Sequence, residues 1–109
     1  MSTDRELLEL AAKAAGLTLI DWSDCWEDKG PGYRYKDADG FSYVWNPLAD
    51  DGDALRLAVN LHMIVEIDHY HAMANGIAED VLEPHDGGAE AATRRAIVRA
   101  AAEIGRAMP

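Results

Sequence analysis

The chain has 109 residues, 49% hydrophobic and 28% charged, which is the balance of one globular domain and excludes a wholly disordered polymer. Ten Lys and Arg against twenty Asp and Glu give a formal net charge of −10. That balance excludes nucleic acid as the main direct partner, because phosphate binding needs clustered cations. The one cysteine, Cys25, excludes an intrachain disulfide and a zinc site built on cysteines.

Thr3 and Glu6 stand at capping-box spacing, and Leu7, Leu10, Ala11 and Ala14 recur at helical spacing. They predict a helix over 3–15, closed by Gly16 at the left-handed position after its last turn. Residues 17–22 read as a strand and 23–32 as a polar loop ending in Gly30-Pro31-Gly32. Residues 33–45 read as a hairpin turning at Asp37-Ala38-Asp39-Gly40. Asn46-Pro47 breaks the strand. Asp50 or Asp51 then caps a second helix whose buried stripe is Ala54, Leu57, Ala58 and Leu61. Met63 to His71 reads as one strand, with Val65, Ile67, His69 and His71 on one face and Glu66, Asp68 and Tyr70 on the other. Residues 72–76 read as a turn, 77–82 as a further strand and 83–88 as a break. The Ala-rich stretch 89–107 is the strongest helix, with Ile97, Ala100, Ala101, Ile104 and Met108 on one face and Arg95, Arg99 and Arg106 on another. This order predicts an α+β fold, one domain over 1–109, with an antiparallel-rich sheet of four to five strands packed with three helices in an α-β-α sandwich-like arrangement.

The charge is uneven. Residues 21–90 carry sixteen acids against four bases, net −12, whereas 91–109 carry four arginines against Glu103, net +3. An acidic body repels nucleic acid and steers encounter with basic protein surfaces. The aromatics crowd into 22–45, and two short strands cannot bury every ring, so Trp26 and some tyrosines are expected to stay partly exposed. Exposed rings among carboxylates are the composition of a protein-binding patch, here Asp24, Trp26, Glu27, Asp28, Asp37 and Asp39.

Other chemistry is thinner. His69 and His71 point the same way along a strand, but Glu66 and Asp68 point the opposite way, so a metal site stalls at two ligands. Asp50-Asp51-Gly52-Asp53 has oxygen-rich spacing, but Leu61 stands where a calcium loop needs a glutamate, and a helix cap explains the acids better. Asp24, Glu27 and Asp28 around Cys25 disfavour a thiolate, so it reads as inert. No metal or cofactor is expected. The opening residues lack the basic and apolar tracts of a secretory signal, and the apolar runs fall short of the ~18 residues a membrane span needs. The expectation is a cytoplasmic chain that does not enter membranes.

Two blocks resemble a known family. Trp45-Asn46-Pro47-Leu48-Ala49-Asp50-Asp51-Gly52-Asp53-Ala54-Leu55-Arg56-Leu57-Ala58-Val59 is similar to the signature of the phage ABA-sandwich domain family. Ala92-Thr93-Arg94-Arg95-Ala96-Ile97-Val98-Arg99-Ala100-Ala101-Ala102-Glu103-Ile104-Gly105-Arg106 resembles that family's final helix. The resemblance implies a sheet between helices in a small phage or prophage protein, with no catalytic residues to carry over. Joined to the acidity, it leads to the expectation of a non-enzymatic protein in the host cell. Its partner is the basic surface of a host complex, such as a CRISPR or other defence complex, which it inhibits. The alternatives are a small-molecule or metal-binding domain using His69 and His71, or an accessory protein acting by self-association. In a homodimer the Arg95, Arg99 and Arg106 face would meet a neighbour's acids.

Overall fold

A computed structural model describes residues 3–27, 30–76 and 80–109. The elements follow the chain as α1 (Asp4–Ala15), β1 (Leu19–Trp26), β2 (Gly30–Lys36), β3 (Ser42–Trp45), α2 (Asp51–Asn60), β4 (Ile64–Ile67), β5 (His71–Asn75), β6 (Val81–Pro84), a short 3-10 turn (His85–Gly87) and α3 (Ala89–Ala107).

Local chemistry sets the helix ends. Thr3 Oγ1 accepts the Glu6 N–H at 3.1 Å while the Glu6 carboxylate reaches back to the Thr3 N–H at 3.5 Å. Gly16, at φ 76°, closes α1 as expected, and the Leu17 N–H returns to the Ala12 carbonyl at 2.9 Å. Asp50 caps α2 by accepting the Asp53 N–H at 2.8 Å. The corner that precedes α2 is built the same way. Asp53 accepts the N–H of buried Asn46 at 2.9 Å, and the Asn46 amide donates to the Pro31 carbonyl at 3.1 Å. These acids fix the corner between β3 and α2. Leu61 caps the end of α2, and the next residue, His62, is a non-glycine residue in the left-handed region at φ 55°.

The single sheet expected from the sequence is not formed. The strands make two separate three-stranded antiparallel sheets, β1-β2-β3 and β4-β5-β6. Two local facts divide them. First, the stretch expected as one strand from Met63 to His71 is a hairpin: Asp68 accepts the N–H groups of both Tyr70 and His71 at 2.7 Å and folds the chain back. Residues 72–75 of the turn expected over 72–76 therefore belong to β5, and the following strand lies at 81–84 rather than 77–82. Residues 77–79 of that expected strand lie outside the described ones. Second, the presumed loop 23–32 is largely strand, because β1 is an edge that tolerates Ser23 and Asp24. Its pairing with β2 shifts register between Leu19 and Asp21 and between Ser23 and Trp26. The hairpin over 33–45 is present, with Tyr33 opposite Trp45 and Tyr35 opposite Tyr43.

Helix α3 is the hub. It packs against α1, α2 and all three strands of the second sheet. One apolar cluster joins both sheets to the helices, and eleven of its eighteen buried hydrophobic residues are alanine, so backbones approach closely. The tightest approach is at Gly105 of α3, where a β-carbon would overlap the Leu10 carbonyl oxygen of α1 and stand 2.8 Å from its carbon. The first sheet is tied to α1 by Arg5, whose guanidinium lies 5.0 Å from the Trp22 ring centroid and 5.5 Å from that of Tyr33. The Tyr33 hydroxyl donates to Glu9.

Replacing Gly105 with alanine tests the hub. Alanine improves helix propensity by about 1 kcal/mol, but no rotamer relieves an overlap with backbone. The expected net loss in urea unfolding is about 1–3 kcal/mol. The control Gly87→Ala, with nothing within 4 Å of the added carbon, stays within about 0.5 kcal/mol of the parent.

Candidate functional site

The docking patch expected from the sequence is split by the first sheet. Asp24 and Glu27 are exposed near the end of β1 where Trp26 pairs with Gly30. Asp37 and Asp39 lie past Lys36 at the other end of β2, about 20 Å away for seven extended residues. Asp28 lies outside the described residues.

Several of the expected groups also work within the chain. Asp24 accepts the Trp22 indole N–H at 2.8 Å, and half-buried Trp26 donates its own to the Gly32 carbonyl at 2.8 Å. Asp37 organises the hairpin turn, accepting the Asp39 and Phe41 N–H groups at 2.9 Å and the Tyr43 hydroxyl at 3.0 Å. Its partial burial alone would raise its pKa. The bonds from Phe41 N–H, the Tyr43 hydroxyl and Asp39 N–H outweigh that and hold the carboxyl below its ordinary 3.8. Of the rings, Tyr33 and Trp45 are core, while Tyr43 and Phe41 are exposed and Tyr43 stacks on Tyr35 at 5.4 Å. Burial, then donation to Glu9, pushes the Tyr33 hydroxyl above its usual pKa.

The histidines do not converge. His69 sits in the Asp68 turn, edge-on to Tyr70, and His71 begins β5. Among the described residues no three His, Cys, Asp or Glu side chains gather where they could hold a metal ion. Cys25 is exposed and free.

The arginines of α3 are committed within the chain. Arg94 donates to Asp51 at 2.6 Å and to the Leu48 carbonyl at 2.9 Å. Arg95 binds Asp4 at 3.1 Å and reaches Glu83 at 3.8 Å, and Arg99 pairs with Glu83. Arg106 lies 3.7 Å from Glu103. The basic face expected to meet a neighbour's acids in a homodimer is thus largely satisfied by the chain's own.

A different surface combines apolar and acidic groups. In the second sheet Glu66 stands opposite Met73, and Met73 opposite Leu82, so the three share one face. Ile64, opposite Asn75, shares it too. Val65, Ala72, Ala74 and Val81 take the other face, where Ala72 and Ala74 are buried and α3 packs. The outward face therefore carries Ile64 and Leu82, 61% and 58% exposed, beside Glu66, Asp68 and Asp80. A shallow concavity of about 540 Å³ brings Glu66, Asp68, His71, Met73, Asp80 and Leu82 together. Asp80 accepts the Asn75 amide at 2.7 Å and Asp68 accepts backbone N–H groups, so none of these three carboxylates has an arginine or lysine partner among the described residues. Hydrogen bonds from the Tyr70 and His71 N–H groups hold Asp68 below its ordinary pKa of 3.8.

Sequence alternation alone grouped Glu66 with Asp68. It missed Met73 and Leu82, because β5 and β6 were not placed where they fall. Among the described residues, no helix is long and apolar enough to cross a membrane. Comparisons with protein-family models, curated proteins and solved structures find no match to this chain.

The two lowered carboxyls contribute to the acid limit of stability. A depressed folded-state pKa stabilises above the unfolded value and is lost as pH falls through the folded value. The urea midpoint is expected to be flat above about pH 5 and to fall below the ordinary 3.8 of Asp37 and Asp68. The double variant Asp37→Asn/Asp68→Asn should flatten that acid limb. An unchanged limb would mean that other groups set it.

Proposed function

We propose that this protein acts without chemistry, by docking on a basic surface of another protein and obstructing it. The observation that carries the reading is the outward face of the second sheet, where Ile64, Met73 and Leu82 lie among three carboxylates that have no arginine or lysine partner among the described residues. Apolar groups supply the affinity on such a surface, and the carboxylates select a cationic partner and speed encounter. Nucleic acid is repelled by it. A second copy would set Glu66, Asp68 and Asp80 against their own kind, which disfavours a homodimer through this face.

The resemblance of 45–59 and 92–106 to the phage ABA-sandwich family supports a phage setting. There the partner is a host complex in the host cytoplasm, and defence complexes such as CRISPR effectors offer basic channels of the right sign. Docking moves from the expected hairpin patch to the second sheet, because Asp24 and Glu27 are separated from Asp37 and Asp39 and Asp37 is consumed by its turn.

The test is capture from bacterial lysate with the immobilised chain, followed by identification and purification of what is retained. The parent chain should hold a basic protein that is released as salt rises from about 0.1 M to 1 M. The triple variant Glu66→Lys/Asp80→Lys/Leu82→Asp should slow association with the purified partner by about tenfold or more. Binding indifferent to both salt and these substitutions would reject the reading.

A further inference from the structure

Strand β4 lies between two different surfaces. It is an edge of its sheet, paired among the described residues only with β5. On its outward side is the acidic face. On its inward side is a cleft of about 320 Å³ walled by Ala54, Leu55 and Ala58 of α2, Val65 and Ile67 of β4, and Ile97 of α3. Ile67 lines both this cleft and the outward concavity, and is 59% exposed. Leu55, across the cleft, is 64% exposed.

The backbone of this edge is unpaired in a defined register. The Asp68 N–H donates to the His71 carbonyl at 3.0 Å, so Asp68 and His71 form a hydrogen-bonded pair of the antiparallel ladder. Such pairs alternate with non-bonded ones, so Glu66 and Ile64 also bond to β5. Val65 and Ile67 must then turn their N–H and C=O groups away from the sheet. Two of the other three sheet edges are blunted: β1 by its register shifts, and β6 by Pro84 and by Arg99, which donates to the Leu82 carbonyl at 3.3 Å. Residues 64–67, Ile-Val-Glu-Ile, contain no proline or lysine and pair with β5 without a bulge.

We propose that β4 receives an extended segment of the partner as a fourth strand, and that this segment alternates apolar and basic residues. The inference rests on the docking reading above and names the partner's chemistry. Residues opposite Val65 and Ile67 would point their side chains toward the apolar cleft. The residue between them would lie on the outward face, beside Glu66. Main-chain bonds give such additions affinity, and alternate side-chain sites give them specificity. A second copy of β4 is a poorer occupant, because a two-fold pairing through Val65 and Ile67 sets Glu66 against Glu66, and like charges opposite one another destabilise a sheet.

The probes are two synthetic peptides of about eight residues, a usual strand length: one alternating Val and Lys, the other with the same composition in two blocks. Binding is read by fluorescence anisotropy and by hydrogen exchange of individual amides. The alternating peptide is expected to bind at least about tenfold more tightly than the block peptide. It should also slow exchange at the Val65 and Ile67 amides. Ile67→Pro removes an outward N–H without touching the β5 ladder and should abolish this preference, with its folding checked by cooperative unfolding. If that variant does not fold, amide exchange in the parent chain decides alone. Equal binding of both peptides, weakened by Glu66→Lys but leaving the Val65 and Ile67 amides unprotected, overturns strand addition and keeps the docking face. No binding of either peptide overturns both. A concentration-dependent dimer that protects the same two amides makes a second copy the occupant, and also overturns the proposal.

Discussion

Where α3 crosses α1, Gly105 lies against the Leu10 carbonyl with no room for a β-carbon, and most of the architecture follows from that approach. Helices this close exclude large side chains between them, in keeping with the buried alanines that α1 and α3 bring to the shared core, Ala11 and Ala12 from one and Ala101 and Ala102 from the other. A helix buried along α1, α2 and a sheet has little surface left, and its arginines emerge at the sides. There Arg94 meets α2 through Asp51, while Arg95 and Arg99 meet α1 and β6 through Asp4 and Glu83. The hub thus also fixes which acids are neutralised.

That sorting gives the charge its meaning. Asp21, Asp50, Asp51, Asp53 and Glu83 lie beside arginines, and Asp37 is bound up in a turn. Exposed ion pairs of this sort are each worth only about 0–1 kcal/mol, so they position elements more than they stabilise them. Glu66, Asp68 and Asp80 are among the acids that have no arginine or lysine partner in the described residues, and they stand beside exposed apolar side chains on the outward face of the second sheet. Acidity that served only solubility would not need to be paired with Ile64 and Leu82 on one uncovered sheet surface.

The helices were legible in the sequence because their signals are local. A capping box at Thr3, a cap at Asp50 and a glycine at 16 each report within one turn of chain. The sheets were not, because their boundaries rest on single side chains acting through the backbone. Asp68 turns the chain at a point where the β-branched run up to Ile67 and the residues beyond it look continuous, and only its two bonds to N–H groups reveal the hairpin. The same error hid half of the site. Glu66 and Asp68 were assigned to one face from alternation alone, but Met73 and Leu82 join them through register, which one sequence does not specify. The aromatic hairpin drew the docking prediction instead, because its composition suits an interface. Of its rings, Tyr33 packs against Arg5 of α1, Trp45 is buried in the core, and Tyr35 and Tyr43 stack on each other.

Methyl-resolved NMR of the chain with its purified partner tests the central claim most directly, because Ile, Leu, Val and Met side chains sample both candidate surfaces and the cleft between α2 and β4. The account predicts that the perturbed signals centre on Ile64, Ile67, Met73 and Leu82. Perturbations confined to Val44 and the flanks of the first sheet, with the second sheet silent, would contradict it.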